Sequence, residues 1–197
     1  MILAIDSSAG TSAAVVSAEG LTIAEASSDN PRGHSEVVGN LIAQVFSEAD
    51  TTAEALEAVV MGVGPGPFTG LRVGMAAAQA VSWARQIPLW PVVSLDAAAY
   101  GREGRILVWS DQKRRERAWA VYSLDDGLPV ADQLPVLHLA EQFFEIENAH
   151  PDCDVMEVTG VKAADLAQVA IQRQARGLAL TAPQAMYLRA PDVTLSP

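Results

Sequence analysis

A set of three strand-like segments occurs twice in the chain, and this repeat constrains the fold more than any other feature. The first copy reads ILAID, SAAVVS and LTIAEAS, with a small-residue turn at residues 7–11. The second reads RILVWSD, RAWAVYS and LPVADQ. Matching Ile2 to Ile106 and Gly20 to Gly127 gives offsets of 104 and 107 residues. Short β-branched runs separated by turns predict hairpin-joined strands, so the pattern indicates a duplicated meander, with chance similarity of hairpins as the alternative.

Helices and further strands follow each meander, which is typical of an α/β protein. Apolar residues recur with a helical period over residues 35–49, 71–86, about 139–148 and 163–176. The runs AVVMG, LWPVVS and CDVMEV read as buried strands, and Ser94 is placed to cap a short helix at 95–100. We expect an α/β fold in two similar halves, 1–103 and 104–197, with the second half shortened.

The charge balance limits the classes of partner. Lys and Arg total 13 against 24 Asp and Glu, which gives a net charge of -11. Tight binding of a phosphate backbone needs clustered positive charge, so we expect tRNA or other nucleic acid to be bound only indirectly. The chain carries one cysteine, and no apolar run resembles a signal peptide or a membrane span. These observations predict a cytoplasmic protein without membrane contact.

A loop rich in glycine and proline, GVGPGPFTG, joins a predicted strand to a predicted helix. Phosphate-binding loops occupy this position because helix N-termini present free N–H groups. The loop matches neither the P-loop nor the dinucleotide pattern, and a rigid turn is the alternative. If the loop does contact a nucleotide or another anion, the candidate residues are Asp6, Ser7, Gly64, Gly66 and Thr69.

Asp6 and Asp111 end corresponding strands of the two meanders. Two aspartates facing each other across a cleft are how sugar kinases and actin-like ATPases hold a magnesium nucleotide. However, the turn at residues 112–115 is basic and contains no glycine, which favours a solvated hairpin. The three histidines lack metal-ligand spacing, and no G-x-S-x-G elbow is present. We therefore expect no metal, no cofactor and no catalytic residue.

The two long central helices have apolar arcs that are too wide for burial on one side. The chain's own sheet can cover only part of such an arc, so apolar surface is left over for contact with another protein. The alternative is that the second half of the chain covers this surface. The predicted partner-interface residues are Val37, Val38, Leu41, Ile42, Val45, Val73, Ala76, Ala77, Ala80, Val81 and Trp83.

Five segments occur together in the order and spacing of one family. They are ILAIDSS, RGHSE, GVGPGPFTGLRVGM, VVSLDA and MYLR. In these segments the chain resembles the TsaB family, the dimerization subunits of bacterial complexes that form threonylcarbamoyladenosine in tRNA. The resemblance is strong over residues 1–123 and thin beyond them.

The resemblance implies a duplicated actin-like and sugar-kinase-like fold and a non-catalytic role. A family member pairs with a homologous catalytic subunit, TsaD, through helices matching 35–49 and 71–86, and an ATPase subunit, TsaE, joins the pair. Whether the isolated chain forms a homodimer through the same helices is not determined by the resemblance. The chain departs from the family at Arg115, where glycine is usual, and in its short second half. The alternatives are a nucleotide-binding kinase or ATPase, or a glycoprotease-like peptidase, of the same fold.

Overall fold

The computed structural model describes residues 1–28 and 34–189 and contains nine strands and five α-helices within them. The first half consists of β1 (Ile2–Asp6), β2 (Thr11–Val16), β3 (Thr22–Ser28), α1 (His34–Glu48), β4 (Ala58–Gly62), α2 (Phe68–Arg85), β5 (Leu89–Val92) and α3 (Ser94–Ala99). The second consists of β6 (Arg105–Asp111), β7 (Glu116–Asp125), β8 (Leu128–Leu139), α4 (Phe143–Ala149), β9 (Cys153–Glu157) and α5 (Ala163–Ala175). Short 3₁₀ turns lie at Ala53–Ala55 and Ala140–Gln142. Part of the RGHSE segment and the end of the chain lie outside the described residues.

Two sheets repeat one strand order. The first is β3-β2-β1-β4-β5, with β1, β2 and β3 antiparallel and β4 and β5 parallel to β1. The second is β8-β7-β6-β9, with the same antiparallel meander and with β9 parallel to β6. Within the described residues the second sheet has no strand in the place of β5. The predicted α/β class, the duplication in the manner of the actin-like and sugar-kinase-like folds, and the shortened second half are confirmed.

Each half contributes a helix to the other half's sheet. Helices α1 and α2 pack on the first sheet, and α5, from the second half, packs against β1, β2, β4 and β5 of that sheet. Helix α3, from the first half, packs against β6, β7 and β8. Strands β1, β2 and β4 are buried along their whole length, which explains why most of their residues are apolar. One apolar core therefore contains residues of both halves, among them Ile5 and Leu166.

A buried ion pair also joins the halves. Asp96 on α3 lies 2.8 Å from Arg173 on α5, and the Tyr122 hydroxyl donates a hydrogen bond of 2.8 Å to Asp96. Burial raises the pKa of Asp96 above its usual value, and burial beside that carboxyl raises the pKa of Tyr122 well above 10. Removal of either partner from a buried ion pair leaves an uncompensated charge and destabilises the protein. The contact between the two halves therefore depends on both Asp96 and Arg173.

Some predicted boundaries differ from the structure. Helix α2 begins at Phe68 rather than at residue 71, because Pro67 occupies the N-cap position and the glycine at 70 lies inside the first turns. Strand β8 runs on to Leu139 although it contains Pro129 and Pro135. It tolerates both prolines because it lies at the edge of its sheet, where not every N–H is needed for pairing. Within the described residues, no helix is long and apolar enough to cross a membrane.

Candidate functional site

The carboxylate of Asp6 lies at the end of β1, where the first turn begins, and is buried. Its Oδ1 accepts hydrogen bonds from the Ser8 N–H at 2.8 Å and from the Ser8 hydroxyl at 2.6 Å. Its Oδ2 accepts a bond from the Ser94 hydroxyl, and Ser94 in turn accepts the Gly64 N–H at 3.0 Å. Burial raises the pKa of Asp6, and these hydrogen bonds lower it in part. The chain's own groups thus occupy both oxygens of this carboxylate.

The side chain of Ser94 has a different role from the helix cap that the sequence predicted. The sequence predicted that its side chain caps helix α3, but the helix starts at Ser94 itself and the cap position is Val93, without a side-chain cap bond. The Ser94 hydroxyl bonds instead to Asp6, a residue 88 positions away. Strands β1, β4 and β5 are parallel neighbours, so their carboxyl ends lie at one edge of the sheet and bring these side chains together.

The glycine loop packs against the turn that follows Asp6. A Cβ atom at Gly62 would lie 1.9 Å from Asp6 Oδ2, and one at Gly66 would lie 2.7 Å from Ser8 Cα. A Cβ at Gly74, inside α2, would lie 2.3 Å from Ser7 Oγ. Because real Cβ contacts do not come this close, these glycines are required by packing. The rigid-turn interpretation of the loop therefore has a direct structural basis.

Of the five candidate anion-binding residues, the structure brings four together. Ser7 donates to the Gly70 carbonyl at 2.8 Å and accepts the Gly74 N–H at 3.0 Å, so its hydroxyl is committed to α2. Asp6, Gly64 and Gly66 lie in the same contact region, whereas Thr69 is exposed on the first turn of α2. A nucleotide contact at these residues stays a prediction.

Asp111 ends β6 with the local geometry that Asp6 has at the end of β1. Its Oδ1 accepts the Lys113 N–H at 2.8 Å, two residues on, as Asp6 does from Ser8. In contrast to Asp6, Asp111 is exposed, and so are Lys113, Arg114 and Arg115. The two turns face each other across a cleft of about 280 Å³, which Ser7, Ser8, Asp111, Lys113 and Glu157 help to line. The sequence placed both aspartates at corresponding strand ends, and the structure agrees.

Helix α2 turns an apolar surface away from its sheet. Its buried residues are Gly70, Leu71, Gly74, Met75, Ala78 and Ser82. At about 100° per residue, the opposite side consists of Val73, Ala76, Ala77, Ala80, Trp83 and Ala84, which we call the outer face. Trp83 is 74% exposed, and Ala76, Ala80 and Ala84 are exposed as well. Ala77 and Val81, at one edge, are half-buried.

Helix α1 contributes less apolar surface. Val38, Leu41 and Val45 are buried against the sheet, with Val45 fully inaccessible, so these three predicted interface residues contact the chain's own core. Val37 and Ile42 are half-buried. The structure therefore narrows the predicted set to one edge of α1 and the outer face of α2. The sequence showed how wide each apolar arc is but not which part of it faces the sheet, so it could not distinguish the buried residues from the exposed ones.

Two of the segments that carry the family resemblance, GVGPGPFTGLRVGM and MYLR, meet in an aromatic stack at the start of α2, a contact that the sequence did not predict. The Arg72 guanidinium lies 3.9 Å from the centre of the Phe68 ring and hydrogen bonds to the Tyr187 hydroxyl. Phe68 and Tyr187 stack with ring centres 5.0 Å apart. Phe68 is 56% exposed. Since Met186 N–H also donates to the Val63 carbonyl at 2.8 Å, the C-terminal segment is attached to the glycine loop.

No residue set of the described chain suggests metal chemistry: among residues 1–28 and 34–189, no three His, Cys, Asp or Glu side chains are grouped in a way that could hold a metal ion. In the lining of the cleft, Ser7, Ser8 and Asp111 already form hydrogen bonds with other groups of the chain.

Comparisons with known proteins agree with this architecture. The family model of TsaD, tRNA N6-adenosine threonylcarbamoyltransferase, matches residues 25–124. An uncharacterized protein of Mycobacterium leprae is 40% identical over 135 residues, which cover 66% of this chain and 37% of that protein. The tRNA threonylcarbamoyladenosine biosynthesis protein TsaB of Bacillus subtilis is 32% identical over 130 residues, which cover 64% of this chain and 57% of that protein. The chain thus spans about half the length of these curated relatives.

A solved structure shares the fold over nearly the whole chain. It is a Pseudomonas aeruginosa protein described as similar to the peptidase YEAZ, with a TM-score of 0.79 and 23% identity, and the alignment covers 95% of this chain and 99% of that one. The match of the family model covers the glycine loop, both long helices, strands β4 to β6 and nearly all of β7. Together with the relatives that carry the name, it shows that the chain belongs to the TsaB family, within the family described by the TsaD model.

Proposed function

We propose that this chain is a non-catalytic scaffold in the formation of N6-threonylcarbamoyladenosine in tRNAs that read codons starting with adenine. In this role it binds and activates a homologous catalytic subunit. The names of the relatives in Bacillus subtilis and Escherichia coli support the pathway, since both are biosynthesis proteins of this nucleoside. The family match supports a partner related to TsaD.

The observation that carries the proposal is the outer face of α2. A tryptophan that is 74% exposed, surrounded by exposed alanines, is unusual on a monomer, because a large apolar side chain in water loses about 1.5–3 kcal/mol of burial energy. Small residues allow the backbones of two helices to approach closely. A helix pair from a homologous subunit would bury this face, and the same face leaves room for a homodimer when the chain is isolated.

The state of the cleft supports a role without catalysis. Both oxygens of Asp6 accept hydrogen bonds from the chain, and the Ser7 hydroxyl is committed to α2. A carboxylate whose two oxygens already accept hydrogen bonds from the chain is poorly placed to hold a metal-bound nucleotide. An ATPase subunit related to TsaE would then supply nucleotide hydrolysis, and tRNA would be held by the assembled complex.

The test places two carboxylates on the outer face. Ala80→Glu with Trp83→Glu should leave the chain folded, because both side chains point to solvent, and should abolish co-purification with the catalytic subunit of the same host. Burial of two unpaired charges at an interface costs several kcal/mol, which is more than most interfaces can lose. Ala77→Glu with Val81→Glu, at the half-buried edge, should instead unfold the chain in circular dichroism.

A matched control adds the same charge elsewhere. Gln133→Glu with Gln184→Glu introduces carboxylates at two exposed positions outside α1 and α2 and should keep both fold and binding. If Ala80→Glu with Trp83→Glu retains binding in a folded chain, the partner binds elsewhere and the proposal loses its basis.

The alternative enzymes make a different prediction for the isolated chain. A kinase or ATPase would hydrolyse ATP, and a peptidase would cleave casein, whereas a scaffold should do neither and should transfer no threonylcarbamoyl group alone. Addition of the catalytic subunit should restore tRNA modification. Turnover by the purified chain above the buffer rate would count against the scaffold.

A further inference from the structure

The turn between β6 and β7, residues 112–115, borders three cavities, and we call it the basic hairpin. It lines the cleft of about 280 Å³ next to Ser7. It also lines a pocket of about 300 Å³ beside the C-terminal segment and a wider groove of about 760 Å³ beside Trp109. Lys113, Arg114 and Arg115 are exposed there. Each of the three cavities is therefore lined by at least one of these cationic side chains.

Ion pairs within the described residues involve several of the chain's cations, but not Lys113 or Arg115 of the basic hairpin. Arg105, Arg173 and Arg176 form ion pairs with aspartates, and Arg189 pairs with Glu116. In the described part of the chain, the side chains of Lys113 and Arg115 form no ion pair. Four of the 13 Lys and Arg residues fall within positions 113–117, although the net charge is -11. Positive charge is thus concentrated at one site on an acidic molecule.

The backbone of the hairpin is strained where these cations stand. Lys113, Arg114 and Arg115 have φ values of 64°, 52° and 61°, in the left-handed region. In the corresponding turn of the first half, the residue four positions after the aspartate is Gly10, with φ 77°, and here it is Arg115. A non-glycine residue in this region costs about 1 kcal/mol or more. The strained backbone therefore coincides with the exposed positive charge.

The chemistry of the groove favours a polyanion over a protein segment. Seven of its ten lining residues are charged, whereas the core of a protein interface is depleted of charge. Asp111, Glu141 and Glu157 also line it, so a small anion inside would meet carboxylates. A long backbone of phosphates can contact the exposed tips of Lys113 and Arg115 without entering. Arg117, which lies 3.9 Å from the centre of the Trp109 ring, is held beside them.

We propose that the basic hairpin contacts the phosphate backbone of the tRNA when the chain is assembled with its catalytic partner. This inference rests on the proposed function, because two or three cations cannot hold tRNA alone on a chain of net charge -11. It assigns the second half a part in substrate binding that is separate from the outer face of α2.

The test is a salt titration of tRNA binding by the assembled complex, with Lys113→Gln and Arg115→Gln combined. Each lost phosphate contact should lower the slope of log K against log salt by about 0.7–0.9, and binding should weaken about fourfold at about 0.15 M salt. The double variant should therefore lower the slope by about 1.5 and weaken binding roughly 15- to 20-fold. The control, Arg102→Gln with Lys162→Gln, removes two exposed cations elsewhere and should leave both values unchanged.

Co-purification with the catalytic subunit is measured on the same samples, and it reports on the proposed function separately. Unchanged tRNA binding by the double variant would overturn the hairpin proposal. So would a loss of the ATPase subunit with tRNA binding intact, since the hairpin would then serve an acidic protein surface. If the wild-type chain forms no complex with the catalytic subunit, the proposed function fails and the hairpin proposal, which rests on it, fails too. If the complex forms but the double variant binds tRNA with the wild-type affinity and salt slope, only the hairpin proposal fails.

Discussion

The turns after Asp6 and Asp111 have the same local geometry and opposite surroundings. Each aspartate accepts an N–H bond of 2.8 Å from the residue two positions on, and each turn has a left-handed residue four positions on. The first turn is buried under the glycine loop, and the second is exposed and cationic. A duplicated hairpin thus preserves its backbone while its role is set by what packs on it.

The packing partner explains the difference. Three positions that face the first turn, Gly62, Gly66 and Gly74, leave no room for a Cβ atom. Within residues 1–28 and 34–189, no glycine loop packs on the second turn in this way, and a cavity opens on each side of it. Substitutions in the first turn should therefore change the stability of the chain, and substitutions in the second turn should change the binding of tRNA by the assembled complex.

The largest effect is expected at Gly66, where a side chain would push against the backbone of Ser8. Gly66→Ala should destabilise the chain by about 3 kcal/mol, because overpacking against backbone cannot be relieved by a change of rotamer. Urea unfolding followed by circular dichroism measures the change. Gly39→Ala, at a position in α1 with open space around it, is the control and should stabilise by about 0.5–1 kcal/mol. Equal effects at both glycines would mean that the loop does not hold the first turn.

An intermediate effect is expected at the two aspartates. Asp6→Asn should cost about 2 kcal/mol, because an amide cannot accept all the hydrogen bonds that Ser8 and Ser94 donate. Asp111→Asn, at an exposed carboxylate, should stay within about 0.5 kcal/mol. Comparable losses at both positions would contradict the contrast between the turns.

The pH dependence sharpens the same comparison. Because burial raises the pKa of Asp6, the folded chain takes up a proton there at a higher pH than the unfolded chain does. Relative to Asp6→Asn, the wild type should therefore gain stability as the pH falls from the raised pKa toward 3.8. Unfolding free energies of both proteins across this range measure the difference. A constant difference would show that burial does not perturb this carboxyl.

The smallest effect concerns the left-handed positions. Arg115→Gly should stabilise the chain by about 1 kcal/mol, since glycine adopts this backbone without strain, and Gly10→Ala should destabilise it by a similar amount. Thermal unfolding of both variants provides the check. The same Arg115→Gly chain should bind tRNA less well in the assembled complex, so stability and binding should move in opposite directions. A loss of stability in Arg115→Gly would show that the hairpin is not strained.

Much of the fold could be read from the sequence. Period-two and period-3.6 patterns placed the meanders and the two long helices, because the residues that define a strand or helix face are near neighbours in the chain. The repeat predicted the duplicated sheets, and the corresponding positions of Asp6 and Asp111 followed from it. Wide apolar arcs on α1 and α2 predicted that some apolar surface is left over.

Other features were decided only by the tertiary structure. The partner of Ser94 is 88 residues away, and helix α5 packs against β1, whose residues lie still farther away in the chain. Which edge of α2 faces water, with Trp83 exposed and Val81 half-buried, depends on how the helix is rotated on its sheet. The periodicity of apolar residues does not predict such contacts. A hydrogen bond or a close Cβ contact depends on distances between residues that are far apart in the chain, and neighbouring residues do not determine those distances.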